Sequence, residues 1–143
     1  KRNRCVLNAQ QLFYNRAVSY PCDDMDRYRD YYRIDGRTDP YPADMKRMDK
    51  NYLRKVLQGA VDFVEAHPDK ILWCGEFGTI RHCRLAYREN YMRDIISLLK
   101  EHHISYCVWN YLSTPNDGNR FSLVDDDTRT ILSPELARII AGK

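Results

Sequence analysis

The chain has 143 residues, 43% of them hydrophobic, which suits one domain with a core and is short for two. Lys and Arg number 23 against 20 Asp and Glu, a net charge of +3. The signs are interspersed, as in Asp26-Arg27-Tyr28-Arg29-Asp30, which is a solvated surface rather than a phosphate track and argues against nucleic-acid binding. No apolar run reaches the roughly 18 residues of a membrane span, and no charged-then-apolar leader opens the chain, so a soluble chain is expected, with any export signal outside it.

Residues 1–48 carry weak periodicity. Val6, Leu7, Gln10 and Phe13-Tyr14 have helix-compatible spacing. From Tyr20-Pro21 to Asp39-Pro40-Tyr41-Pro42, prolines, a glycine and aspartates mark a long irregular segment, whose tyrosines favour order. From Asp49, a candidate N-cap, Leu53, Val56, Leu57, Ala60, Val61 and Val64 recur on one face and predict an amphipathic helix ending near His67-Pro68. Ile71-Leu72-Trp73-Cys74 is then a short apolar run, expected as a strand buried on both faces.

A second helix is predicted over 85–101, with Tyr87, Tyr91, Ile95, Leu98 and Leu99 on one side. Ser105 to Trp109 repeats the strand pattern. Strand, helix, strand makes a βαβ unit, parallel and right-handed. Phe121 to Val124 and Arg129 to Leu132 flank a polar Asp125-Asp126-Asp127-Thr128 turn, a small hairpin. Ser133 caps a last helix with Pro134 at its first position.

In a βαβ unit both strands end at one edge, where α/β proteins place their sites. Glu76 ends the first strand and Trp109, Asn110 and Tyr111 follow the second. An indole stacks on the apolar face of a sugar ring and a carboxylate can act on the anomeric carbon. Gly75 and Gly78 would leave room for a substrate. The same residues also fit a structural account, in which Glu76 pairs with Arg81 or Arg84 and Trp109 is core. Arg81 and His82 could bond sugar hydroxyls or lie on the surface.

Other candidates carry less. Glu65, Glu89 and Glu101 fit exposed helix faces, and Glu135 and His102-His103 fit the helix dipole. The Asp125-Asp127 run lacks the glycine and distal glutamate of a calcium loop. The cysteines (Cys5, Cys22, Cys74, Cys83 and Cys107) are odd in number and unpaired in spacing, against a disulfide framework. Cys74, Cys83 and Cys107 with His82, His102 and His103 match no common zinc spacing, so neither metal nor cofactor is expected.

Gly75-Glu76-Phe77-Gly78, a helix and then Trp109-Asn110-Tyr111 resemble the last quarter to third of a glycoside hydrolase family 5 (β/α)8 barrel, the cellulase-like group. The resemblance is good over residues 50–143. It implies an α/β fold, a partial TIM barrel, forming a single domain over 1–143. Residues 1–48 would be the loop and helix insertion after strand six, and 49–143 the last βα units. It implies Glu76 as the nucleophile of a retaining β-glycosidase and Trp109 as the platform for the sugar being cleaved. Asn110, Tyr111, Arg81 and His82 would be further substrate contacts, β-glucan or a related polysaccharide the partner, and the location extracellular. Retaining members also need an acid/base glutamate, usually in an Asn-Glu pair, about 5–5.5 Å from the nucleophile. The chain has no Asn-Glu dipeptide. A full barrel takes about 250 residues, so the expectation is part of a larger hydrolase, or a partial barrel completed by self-association that only binds glycan.

Overall fold

The computed structural model describes residues 19–23, 44–81, 83–114 and 121–142. Most of the expected N-terminal helix and irregular segment therefore lies outside the described residues.

Helix α1 (Lys50–Ala66) starts where the sequence predicts. The Asp49 carboxylate accepts hydrogen bonds from the Asn51 and Tyr52 amides at 2.9 and 3.1 Å, satisfying two donors that the first turn leaves open. Its buried stripe is Tyr52, Leu53, Leu57 and Val61. Val56, expected on that stripe, is 37% exposed, because the face is centred on the 53–57–61 row and turns toward Tyr52.

Strand β1 (Trp73–Phe77) begins two residues later than expected; Ile71 precedes it and is almost fully exposed. Helix α2 (Leu85–Glu101) buries Tyr91, Met92, Ile95, Ile96, Leu98 and Leu99, and also Arg88. It stops in a tight turn. His103 takes a positive φ of 54°, the His103 amide bonds the Lys100 carbonyl, and the Ile104 amide reaches back to the Leu99 carbonyl at 2.8 Å. Strand β2 (Ser105–Val108) follows at once and pairs with β1 in parallel, Trp73 opposite Ser105, Cys74 opposite Tyr106 and Phe77 opposite Val108.

The expected hairpin is reduced to one antiparallel bridge, Val124 with Ile131. Its turn is held by the Asp125 carboxylate, which accepts from the Asp127 and Thr128 amides and the Thr128 hydroxyl. These bonds hold the Asp125 carboxyl below the usual aspartate range, led by the Thr128 amide. Helix α3 (Pro134–Ile140) starts at Ser133, whose hydroxyl accepts from the Leu136 amide at 2.9 Å and donates to Glu89 on α2.

Helices α1, α2 and α3 contribute to one core. Leu53 and Leu57 of α1, Tyr91, Ile95 and Leu98 of α2, and Leu136 and Ile139 of α3 are buried together with Phe77. Cys74, Tyr106 and Val108 pack against it from the sheet. Residues 19–23 are tied in through Tyr20, which meets Tyr91 edge-on at 5.6 Å and donates to Asp94 at 2.7 Å. Burial and that carboxylate raise the Tyr20 phenol above its ordinary range. Cys22 and Met48 also exchange two backbone bonds.

The strands are not buried on both faces, contrary to expectation. Trp73 is 60% exposed, and Ser105 and Cys107 are exposed. Among the described residues the helices cover one face; the other is the face that a closed barrel would turn inward.

Candidate active site

Between Cys74 and Phe77 the pairing slips. Cys74 faces Tyr106 and Phe77 faces Val108, so Gly75 and Glu76 together oppose the single residue Cys107. This is a β-bulge, and it decides where the carboxylate goes. Strict alternation from Cys74, which packs on the helix core, would send Glu76 toward the same helices. The extra residue instead returns Phe77 to the core, where it meets Tyr106 edge-on at 5.8 Å, and leaves Glu76 exposed. A carboxylate on the solvated side avoids the cost of burying its charge among apolar side chains.

Strand β2 supplies the neighbour. Tyr106 and Val108 face the core, and the Tyr106 hydroxyl donates to the Ile140 carbonyl of α3 at 3.0 Å. Ser105, Cys107 and Trp109 alternate onto the open face, where Trp109 is 46% exposed. The Trp109 amide donates to the Phe77 carbonyl at 2.7 Å, so the indole-bearing residue is anchored immediately beyond Glu76. The Trp109–Asn110 peptide is cis.

The two glycines differ. Space around a Cβ at Gly75 is open, as expected for a route to Glu76. A Cβ at Gly78 would overlap the Trp109 carbonyl oxygen and stand 3.4 Å from the Phe121 ring. The missing side chain there admits the end of β2 rather than a substrate.

The expected contacts separate into two groups. Asn110 is half-buried; its side-chain oxygen accepts from the Ser113 hydroxyl at 3.2 Å and its carbonyl from the Leu123 amide. Tyr111, 63% exposed, is open to a ligand. Arg81 is bound to Asp126 at 2.7 Å, in a depression of about 260 Å³ shared with Ser113, Asp125, Asp127 and Arg129. His82 lies outside the described residues. Among the described residues no cluster of three His, Cys, Asp or Glu side chains is placed to hold a metal, and no helix is long and apolar enough to cross a membrane.

Beneath the strand ends runs a polar network that the helical pattern did not signal. Arg88, 3% exposed, donates to the Thr79 hydroxyl at 3.0 Å and to the Ser122 carbonyl at 3.3 Å. The Ser122 hydroxyl donates to Asp126 and accepts from the Ser113 amide at 2.9 Å, and the Ser113 hydroxyl accepts from the Phe121 amide. The segments after β1 and β2, the hairpin and α2 are thereby joined. Burial lowers the Arg88 pKa and pushes the neighbouring Cys83 thiol up to about 11 against the pull of the Arg88 charge. Arg88 stands one turn before Tyr91 and Met92 on the buried face of α2, and it was not singled out from the sequence.

The chain is 34% identical over 136 residues to Endoglucanase C of Acetivibrio thermocellus and, to the same extent, to Endoglucanase C307 of Clostridium sp. strain F1; the match takes in 92% of this chain and 36% of each relative. It thus spans about a third of the length of these curated relatives. No family model matches. Among solved structures, a hyperthermophilic endo-β-1,4-glucanase in complex with substrate superposes with a TM-score of 0.55 at 19% identity, over 66% of this chain and 28% of that one. Thermotoga maritima Cel5A in complex with cellobiose gives 0.52 at 17%, over 73% and 30%. The sequence match to the endoglucanases and the shared fold thus support the resemblance to part of a cellulase-like barrel of glycoside hydrolase family 5.

Proposed function

We propose that the chain carries the nucleophile side of a retaining β-glycan hydrolase site. Glu76 attacks the anomeric carbon, Trp109 stacks on the sugar ring at the cleavage point, and Asn110 and Tyr111 shape its edge. The observation that carries this is the bulge, which brings an exposed carboxylate and an exposed indole onto one open sheet face at the ends of adjacent parallel strands. The endoglucanase names of the relatives, and neighbours solved with substrate or cellobiose, favour a β-1,4-glucan as the ligand.

The test is a mechanism-based label. In 2,4-dinitrophenyl 2-deoxy-2-fluoro-β-cellobioside the leaving group departs as dinitrophenolate without acid assistance, so bond formation to a carboxylate oxygen needs the nucleophile alone. Intact mass and peptide mapping should find one fluorocellobiosyl group on Glu76, absent in Glu76→Gln. No adduct would overturn the nucleophile assignment.

A second reading, a partial barrel that binds glycan or self-associates without turnover, is favoured by where the other glutamates lie. Glu89 is engaged by Ser133, Glu101 by Arg54, and Glu135 by Arg93 and Arg138, while Glu65 is exposed on α1. None of them belongs to the open face, so an acid/base partner would have to come from elsewhere. Solution mass discriminates: a monomer at working concentration counts against completion by self-association.

A further inference from the structure

The bulge has a second consequence, on the opposite strand. Gly75 and Glu76 share a single partner position, Cys107. Phe77 lies on the core side, so alternation turns Glu76 to the open face, and Tyr106 and Val108 on the core side turn Cys107 to the same face. Gly75 contributes no side chain, and nothing lies within 4 Å of where its Cβ would be. Cys107 is therefore the cross-strand neighbour of Glu76 on the open face, with strands about 4.8 Å apart, and Trp109 stands two residues further along that face. Its exposure agrees: Cys107 is exposed, while Cys22 and Cys83 are buried and Cys74 packs toward the helices.

We propose that Cys107 is a specificity-determining residue in the floor of the glycan-binding face, where its small, weakly polar side chain sets the clearance beneath a sugar ring held between Glu76 and Trp109. This rests on the function proposed above. A larger side chain at 107 would lift the ring away from the carboxylate, whereas serine keeps the volume.

Cysteine alkylation tests it on the whole chain. The protein is treated with iodoacetamide across a cellopentaose series, the rate at Cys107 is read by peptide mapping, and binding is followed in the same samples by tryptophan fluorescence. Fluorescence should saturate and Cys107 alkylation should slow in parallel, by about tenfold at ten times the half-saturating concentration. Saturating fluorescence with an unchanged Cys107 rate overturns the role of Cys107 and leaves the glycan site standing. Neither a fluorescence change nor protection overturns both. A variant series checks the clearance: Cys107→Ser should retain binding, and Cys107→Phe should weaken it at least tenfold with the helical circular dichroism unchanged. Equal affinities in both variants would also overturn the proposal.

Discussion

The two faces of the β1–β2 sheet are built from the same nine residues and have opposite fates. Cys74, Phe77, Tyr106 and Val108 belong to the core that the helices share, while Trp73, Glu76, Ser105 and Cys107, with Trp109 just beyond β2, remain open. One face supplies stability and the other presents groups for a ligand or for the rest of a barrel. The difference shows that a short apolar run does not by itself reveal how many of its faces are covered; that depends on where the neighbouring helices lie.

Mutations on the two faces should behave accordingly. Leu98→Ala, at a fully buried core position of α2, should cost about 3 kcal/mol in urea unfolding. A loss below about 1 kcal/mol would mean that the helix-covered face is not the main source of stability.

Alkali should act next, on the separate small cluster of Ile80 and Cys83 that follows β1. The Cys83 thiol is raised to about 11 in the fold, so the folded state holds its proton more tightly than the unfolded state. The stability it contributes is complete below the unfolded cysteine range and is lost as pH rises toward 11, up to about 2–3 kcal/mol in all. Comparing urea midpoints of the wild type and Cys83→Ala at pH 7 and pH 11 isolates this part; parallel pH dependences would refute it. Ser133→Ala removes both the α3 cap and the bond to Glu89 and should cost about 1 kcal/mol by thermal unfolding.

Trp109→Ala should have the smallest effect on stability, within about 0.5–1 kcal/mol, because its side chain is half exposed on the uncovered face. The same substitution should abolish the cellopentaose-dependent fluorescence change. A large stability loss with binding intact would reverse the division between the faces.

Much of the framework was legible from the chain. Asp49 and Ser133 announce helix starts because their side chains can satisfy open amides. The 3.6-residue rows of α1 and α2 follow from burying one helical face, and two short apolar runs separated by a helix give the parallel pair. Local chemistry determines these features. Tertiary structure alone decided the rest. The bulge that moves Glu76 off the helix side, the close approach of Trp109 that makes Gly78 necessary, the burial of Arg88 under the strand ends and the engagement of Arg81 with Asp126 all join residues distant in sequence. Register and packing are choices among many long-range pairings, and they are fixed by which arrangement fills the core and satisfies its polar groups together.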